Sequence, residues 1–198
     1  MKRIIPSVLA IGASALILSA FSIGGAHRFD RSDQSAKLQK SSDCLAFSKS
    51  HPTARVTTTG TYVMASVAGP NEAMYTTSQV KTHHPKSGEI MVSGQMTGMG
   101  GSSMSMGSAS LMRHVEVHIC SKATGKAVLG ARPVMTIQDL SKGSMKTKLM
   151  VAEMQGLDRN PADTHYGNNV TVVPGHRYKL QTTINGQTGM FQFVVPKA

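Results

Sequence analysis

Tryptophan is absent from the 198 residues, aromatic residues make up only 5% of them, and cysteine occurs twice. A chain so poor in aromatics offers no stacking platform for bases or sugars, and it must build its core from Val, Ile, Leu, Met and Ala. Acidic residues are scarce as well: 10 Asp and Glu stand against 21 Lys and Arg, for a formal net charge of +11. The basic residues are scattered and form no dense run, so no nucleic-acid partner is expected. Anionic lipid or cell-wall polymer is the surface on which such an excess would rest. Gly-x-Ser-x-Gly, His-Glu-x-x-His and Cys-x-x-Cys are all missing. An enzymatic reading would therefore have to rest on the redox chemistry of a bound ion, and no enzyme is expected.

The N-terminus reads as an export signal. Lys2 and Arg3 precede an uncharged apolar stretch over residues 4–23, and Gly24-Gly25-Ala26 offers small side chains for cleavage. The apolar run is near the length of a membrane-spanning helix, and an uncleaved anchor is the alternative. The polar His27-Arg28-Phe29-Asp30 directly after the small residues favours a leader of residues 1–26. The remaining 172 residues carry +9 and suit one domain, periplasmic or secreted. In an oxidising compartment an even cysteine pair is expected to bond. A Cys44–Cys120 disulfide would close a long loop, worth about 4 kcal/mol on the chain-entropy model.

Residues 27–56 are polar and of mixed charge, and read as an extended arm with at most one short helix, pinned at Cys44. From residue 57 to 198 the pattern changes to short segments of period two. Strands are predicted over 61–67, 89–94, 111–120, 126–137, 146–151, 170–173, 178–184 and 190–195. Turn residues separate them, and Asn185-Gly186 is the strongest hairpin signal. The spacing, with no long helical period, predicts an all-β sandwich without a second domain.

Three groups of residues bear chemistry. In the 111–120 strand, Val115, Val117 and Ile119 alternate with His114, Glu116, His118 and Cys120, so the apolar set should face the core and the polar set the other side. A solvated outer face is the plain reading. Alternate residues on a strand lie about 6.7 Å apart, so His114 and Glu116 can share one ion. His114 and His118, about 13 Å apart, would reach a common ion only fully stretched, which leaves His118 in reserve or as a ligand for something else. The second group is His165 in Thr164-His165-Tyr166-Gly167-Asn168-Asn169, read as a loop that aims the imidazole just ahead of a strand, with thioethers a short distance upstream. The third is a Gly/Ser-rich, Met-rich loop over 94–112 that holds Met96, Met99, Met104 and Met106. No core can form around methionines among Gly and Ser. Thioethers there suit Cu(I), or else form an adaptable contact surface.

Taken in order, His114-x-Glu116, a Met-containing segment, His165-Tyr166-Gly167-Asn168-Asn169-Val170 and Pro174-Gly175-x-x-Tyr178-x-Leu180 resemble the periplasmic ferrous-iron transport protein family, which accompanies bacterial iron permeases. The likeness spans residues 88–195, and the His-Tyr-Gly-x-Asn-Val block is its most specific part. It implies an immunoglobulin-like β-sandwich, often a homodimer, that binds a copper or iron ion. It also implies His114, Glu116 and His165 as ligands, with Met150 or Met154 as the thioether. The segment 155–163 lengthens the family's spacing between Met and His. The family's C-terminal His has no counterpart here, and Met190 is the nearest substitute.

The expected function is thus export-side coordination of copper or ferrous iron for transport, delivery or tolerance. The expected partner is a membrane metal permease or another envelope metal protein. The alternative is a metal-free envelope module that uses the Met-rich loop as its contact surface.

Overall fold

In a computed structural model, residues 42–95 and 111–197 are described. The leader, residues 27–41 of the arm, and Met96, Met99, Met104 and Met106 lie outside the described residues. The chain runs through helix α1 (Asp43–Ser50), strands β1 (Arg55–Thr58), β2 (Tyr62–Gly69) and β3 (Met74–Thr76), helix α2 (Thr77–His83), and strands β4 (Glu89–Gly94) and β5 (Met112–Ser121). It continues as β6 (Val134–Asp139), β7 (Thr147–Lys148), β8 (Ala152–Gly156), a 3-10 turn at Pro161–Asp163, β9 (His165–Thr171), β10 (Arg177–Ile184) and β11 (Gln187–Val194). The fold is all-β, in two sheets. Seven strands lie in the order β1-β2-β5-β9-β8-β4-β3, and four in the order β11-β10-β6-β7.

The predicted alternation in β5 is realised. Val115, Val117 and Ile119 are fully buried and share one core with Tyr166 of the same sheet and with Met135, Ile137, Leu180 and Phe191 of the other. Each aliphatic side chain so buried contributes about 1.5–3 kcal/mol. Asn185 and Gly186 both take positive φ (48° and 73°) between the paired Ile184 and Gln187, as a tight hairpin turn requires.

Other expectations shift. The stretch expected as an arm to residue 56 does carry one short helix, α1, but it also contains the start of β1, so the sheet begins earlier. Ser42 caps α1, the Asp43 carboxylate accepts the Ala127 N–H, and Cys44 bonds Cys120 with Cα atoms 5.9 Å apart, all of which fix the helix to the sheet. The 126–137 strand shrinks to Val134–Asp139, because Gly130 takes positive φ and Pro133 offers no N–H to a ladder. Helix α2 was not foreseen, although Thr76 and Gln79 form a capping box at its start. Among the described residues no helix is long and apolar enough to cross a membrane. An intramolecular disulfide fits an oxidising compartment.

The connection from β2 to β3 dictates the shape of the larger sheet. These strands hold its second and seventh places, so a flat sheet would separate them by five inter-strand steps, about 24 Å. The chain from Gly69 to Met74 spans at most about 18 Å when fully extended. The sheet must therefore curl. The Pro70 carbonyl accepts the His114 N–H, and both backbone groups of Glu72 bond the Asn169 side chain, so this connection crosses the hollow side at β5 and β9. The convex side carries the core, and the hollow side carries the polar residues of β5.

Candidate metal centre

Strand register assembles the hollow face. His118 pairs with His165, and His165 with Met154, which in turn pairs with Met91 on β4. One step along the sheet, Glu116 pairs with Gly167, and Gly167 with Ala152. One further step brings His114 opposite Asn169. Gly167 is required: a Cβ there would lie 2.2 Å from the Val115 carbonyl oxygen and 2.8 Å from the Glu116 Cα. The Gly167–Ala152 row leaves a trough beside Glu116, and imidazoles flank it on both sides. The curl then brings Glu89, from β4 beside the far edge, over the same trough.

Four side chains converge there: Glu89, His114, Glu116 and His165 each place one ligand atom within 4.8 Å of the others. His165 Nε2 lies 3.1 Å from Glu89 Oε1 and 3.3 Å from Glu116 Oε2. His114 Nε2 lies 3.4 Å from Glu89 Oε2 and 3.6 Å from Glu116 Oε2. Ligands bound at about 2.1 Å stand about 3.0–3.4 Å apart around an octahedral or tetrahedral ion, a range that three of these four separations meet and the His114–Glu116 one slightly exceeds. No hydrogen bond satisfies Glu89 Oε2 or the Nε2 atoms of His114, His118 and His165. At 3.1–3.8 Å the carboxylates of Glu89 and Glu116 are ion-pair partners of these imidazoles only when a proton, or a cation in its place, lies between them.

The ring orientations are fixed from behind. The Asn169 amide donates to the Glu72 carbonyl (2.7 Å) while its Oδ1 accepts the Glu72 N–H (3.3 Å). That sets which end of the amide is oxygen, and Oδ1 therefore accepts from His114 Nδ1 at 3.1 Å. His165 Nδ1 donates to the Asp163 carbonyl at 2.9 Å. Both rings thus carry a proton on Nδ1 and turn Nε2 to the trough, the arrangement that orients metal-binding imidazoles. Burial alone would raise the Glu116 carboxyl, but His165, His118 and His114 outweigh it and hold it at about 2. Burial would likewise lower His165, yet Glu116 and Glu89 hold it up at about 10. A proton on His165 therefore occupies the electrostatic place a cation would take.

No family model matches the chain, and no curated protein matches it. Among solved structures, a DUF4426 family protein from Pseudomonas aeruginosa aligns with a TM-score of 0.43 at 12% identity, over 75% of this chain and 99% of that one. A likeness of that degree carries no functional argument.

The residues named from sequence part company here. His114, Glu116 and His165 are brought together, each 7% exposed or less. His165 belongs to strand β9, not to a loop, because the short β8 pairs with its first residues. His118 stays outside the four-residue cluster, 2% exposed, with Nε2 3.8 Å from Glu116 Oε1. The other two candidates separate. Met154 is fully buried in the row of His165, within a cluster that includes Met74 and Met91. Met150 precedes β8 and is 49% exposed. Met190, the substitute for a C-terminal His, is exposed on β11 of the other sheet. Glu89 was missed as a member of the cluster. It opens a segment that reads as an ordinary strand, and only the curl of the sheet brings it to His114.

Proposed function

We propose that the protein is an exported metal carrier that captures copper or ferrous iron in the His114–Glu116–His165–Glu89 trough and passes it to a membrane permease or another envelope metal protein. The single observation behind this reading is the convergence of Glu89, His114, Glu116 and His165, each with one ligand atom within 4.8 Å of the others. Two imidazoles and two carboxylates suit Fe(II) and Cu(II), and the nearby Met154 would supply a thioether if the copper were reduced. The proposed work is coordination and release without bond-making, in a periplasmic or secreted setting. The fold is read as an immunoglobulin-like sandwich, and a homodimer is compatible with it.

The test is titration of the purified mature protein with Cu(II) and, anaerobically, with Fe(II), alongside elemental analysis of the protein from its own compartment. Wild type should bind with at least 100-fold higher affinity than Glu116→Gln or His165→Ala. Equal affinities in folded variants would end the reading. The metal-free alternative predicts that outcome, with function retained in both.

A further inference from the structure

The trough is larger and more acidic than one ion needs. Its cavity measures about 370 Å³, whereas a water molecule claims about 30 Å³. Of the ten acidic residues in the chain, Glu72, Glu89, Glu116 and Asp163 all line it. The four-residue cluster uses only two of these. It also leaves out His118, whose Nε2 is buried and unsatisfied although it faces the same space.

We infer that the trough holds a second cation beside the first, bound by His118, Asp163 and the other oxygen of Glu116, so that the Glu116 carboxylate bridges two ions. This rests on the metal-binding reading above. Glu116 divides its oxygens accordingly: Oε2 faces His114 and His165 at 3.6 and 3.3 Å, and Oε1 faces His118 at 3.8 Å. His118, Asp163 and His165 each put one ligand atom within 4.8 Å of the other two. Asp163 is steadied by the Gly156 N–H, which donates to Oδ2 at 3.2 Å. Phe47 of α1 lies flat on the His118 ring, with centroids 3.6 Å apart, and closes the second position from the side that the Cys44–Cys120 bond secures. Two divalent ions against the carboxylates of Glu89, Glu116 and Asp163 leave a residual charge of +1, with Glu72 beside them. A single divalent ion would leave the trough with excess negative charge beside His118 and Asp163.

The experiment is Cu(II) titration of the full mature protein, followed by electron paramagnetic resonance. Wild type should take two equivalents, and the second should broaden the first spectrum and add a half-field line, since bridged ions sit about 4 Å apart. Asp163→Asn and His118→Gln should each reduce uptake to one equivalent and leave the isolated single-ion spectrum. His114→Ala should also abolish the half-field line. One equivalent in wild type, unchanged by Asp163→Asn, overturns the second position and leaves the carrier reading intact. Two equivalents without magnetic coupling place the second ion elsewhere and overturn it equally. No uptake at all ends both.

Discussion

Asn169 settles the chemistry of His114 without touching the trough itself. Its amide is clamped by both backbone groups of Glu72, and so its oxygen must face His114 Nδ1. The ring has no choice but to direct Nε2 inward.

That clamp is testable. Asn169→Ala removes the Nδ1 partner, and it also frees the 70–73 connection that crosses the hollow side. Loss of such a supporting hydrogen bond typically costs 10–100-fold in metal affinity. Competition titration should show a drop of about that size for Asn169→Ala. Unchanged affinity would mean that the ring is held by packing alone.

A second prediction concerns Gly167. A methyl group there would meet the Val115 carbonyl and the Glu116 backbone, neither of which can step aside inside a paired ladder. Gly167→Ala should destabilise the protein by about 1–3 kcal/mol, as overpacking does. It should also weaken metal binding, because the same shift moves Glu116. Thermal melts in chelator, paired with titration, separate the two effects.

Much of this was legible along β5, because period-two alternation speaks directly about faces. His114, Glu116 and His118 were assigned to one side and Val115, Val117 and Ile119 to the other, as found. The limits lay in what alternation cannot say. Treating β5 as straight put His114 and His118 at opposite ends of a line, yet both turn Nε2 toward Glu116. Glu89 comes from β4, three strands from β5 and next to the far edge of the sheet. Its approach follows from the shortness of the β2–β3 connection, a fact about topology that no local pattern carries. His165 looked like a loop residue because Gly167 and two asparagines follow it. The glycine instead serves close packing within a strand.

On the metal-binding reading, proton and metal compete at His165. The folded protein holds this imidazole at about 10, above its ordinary 6.5, through Glu116 and Glu89. Its contribution to stability is fully present below pH 6.5 and is lost as the pH rises through about 10. Glu116, held at about 2 from an ordinary 4.5, contributes above pH 4.5 and loses that contribution as the pH falls through about 2. The metal-free protein should therefore lose thermal stability between pH 6.5 and 10, a slope that His165→Gln should remove. Metal affinity should run the other way over this interval, rising with pH because the ion must displace a proton. Calorimetric titration in buffers of different ionisation enthalpy should register proton release near neutrality. A binding enthalpy independent of buffer would contradict it.

The disulfide supplies the last prediction. Cys44 and Cys120 join residues 76 apart, so their bond restricts the unfolded chain by an amount worth about 4 kcal/mol on the loop-entropy model. It also fastens α1, whose Phe47 stacks on both His118 and His51. Cys120 is two residues beyond His118 on the same face of β5, so the bond is anchored next to the trough it helps to cover. The double variant Cys44→Ala/Cys120→Ala should unfold at markedly lower denaturant. With α1 released, the ion should also dissociate faster in stopped-flow chelation. Phe47→Ala separates the two effects: it keeps the disulfide and most of the stability but removes the cover, and should reproduce the faster dissociation. If dissociation is unchanged in Phe47→Ala while it accelerates in the double variant, the disulfide acts on the trough through β5 itself, not through the helix.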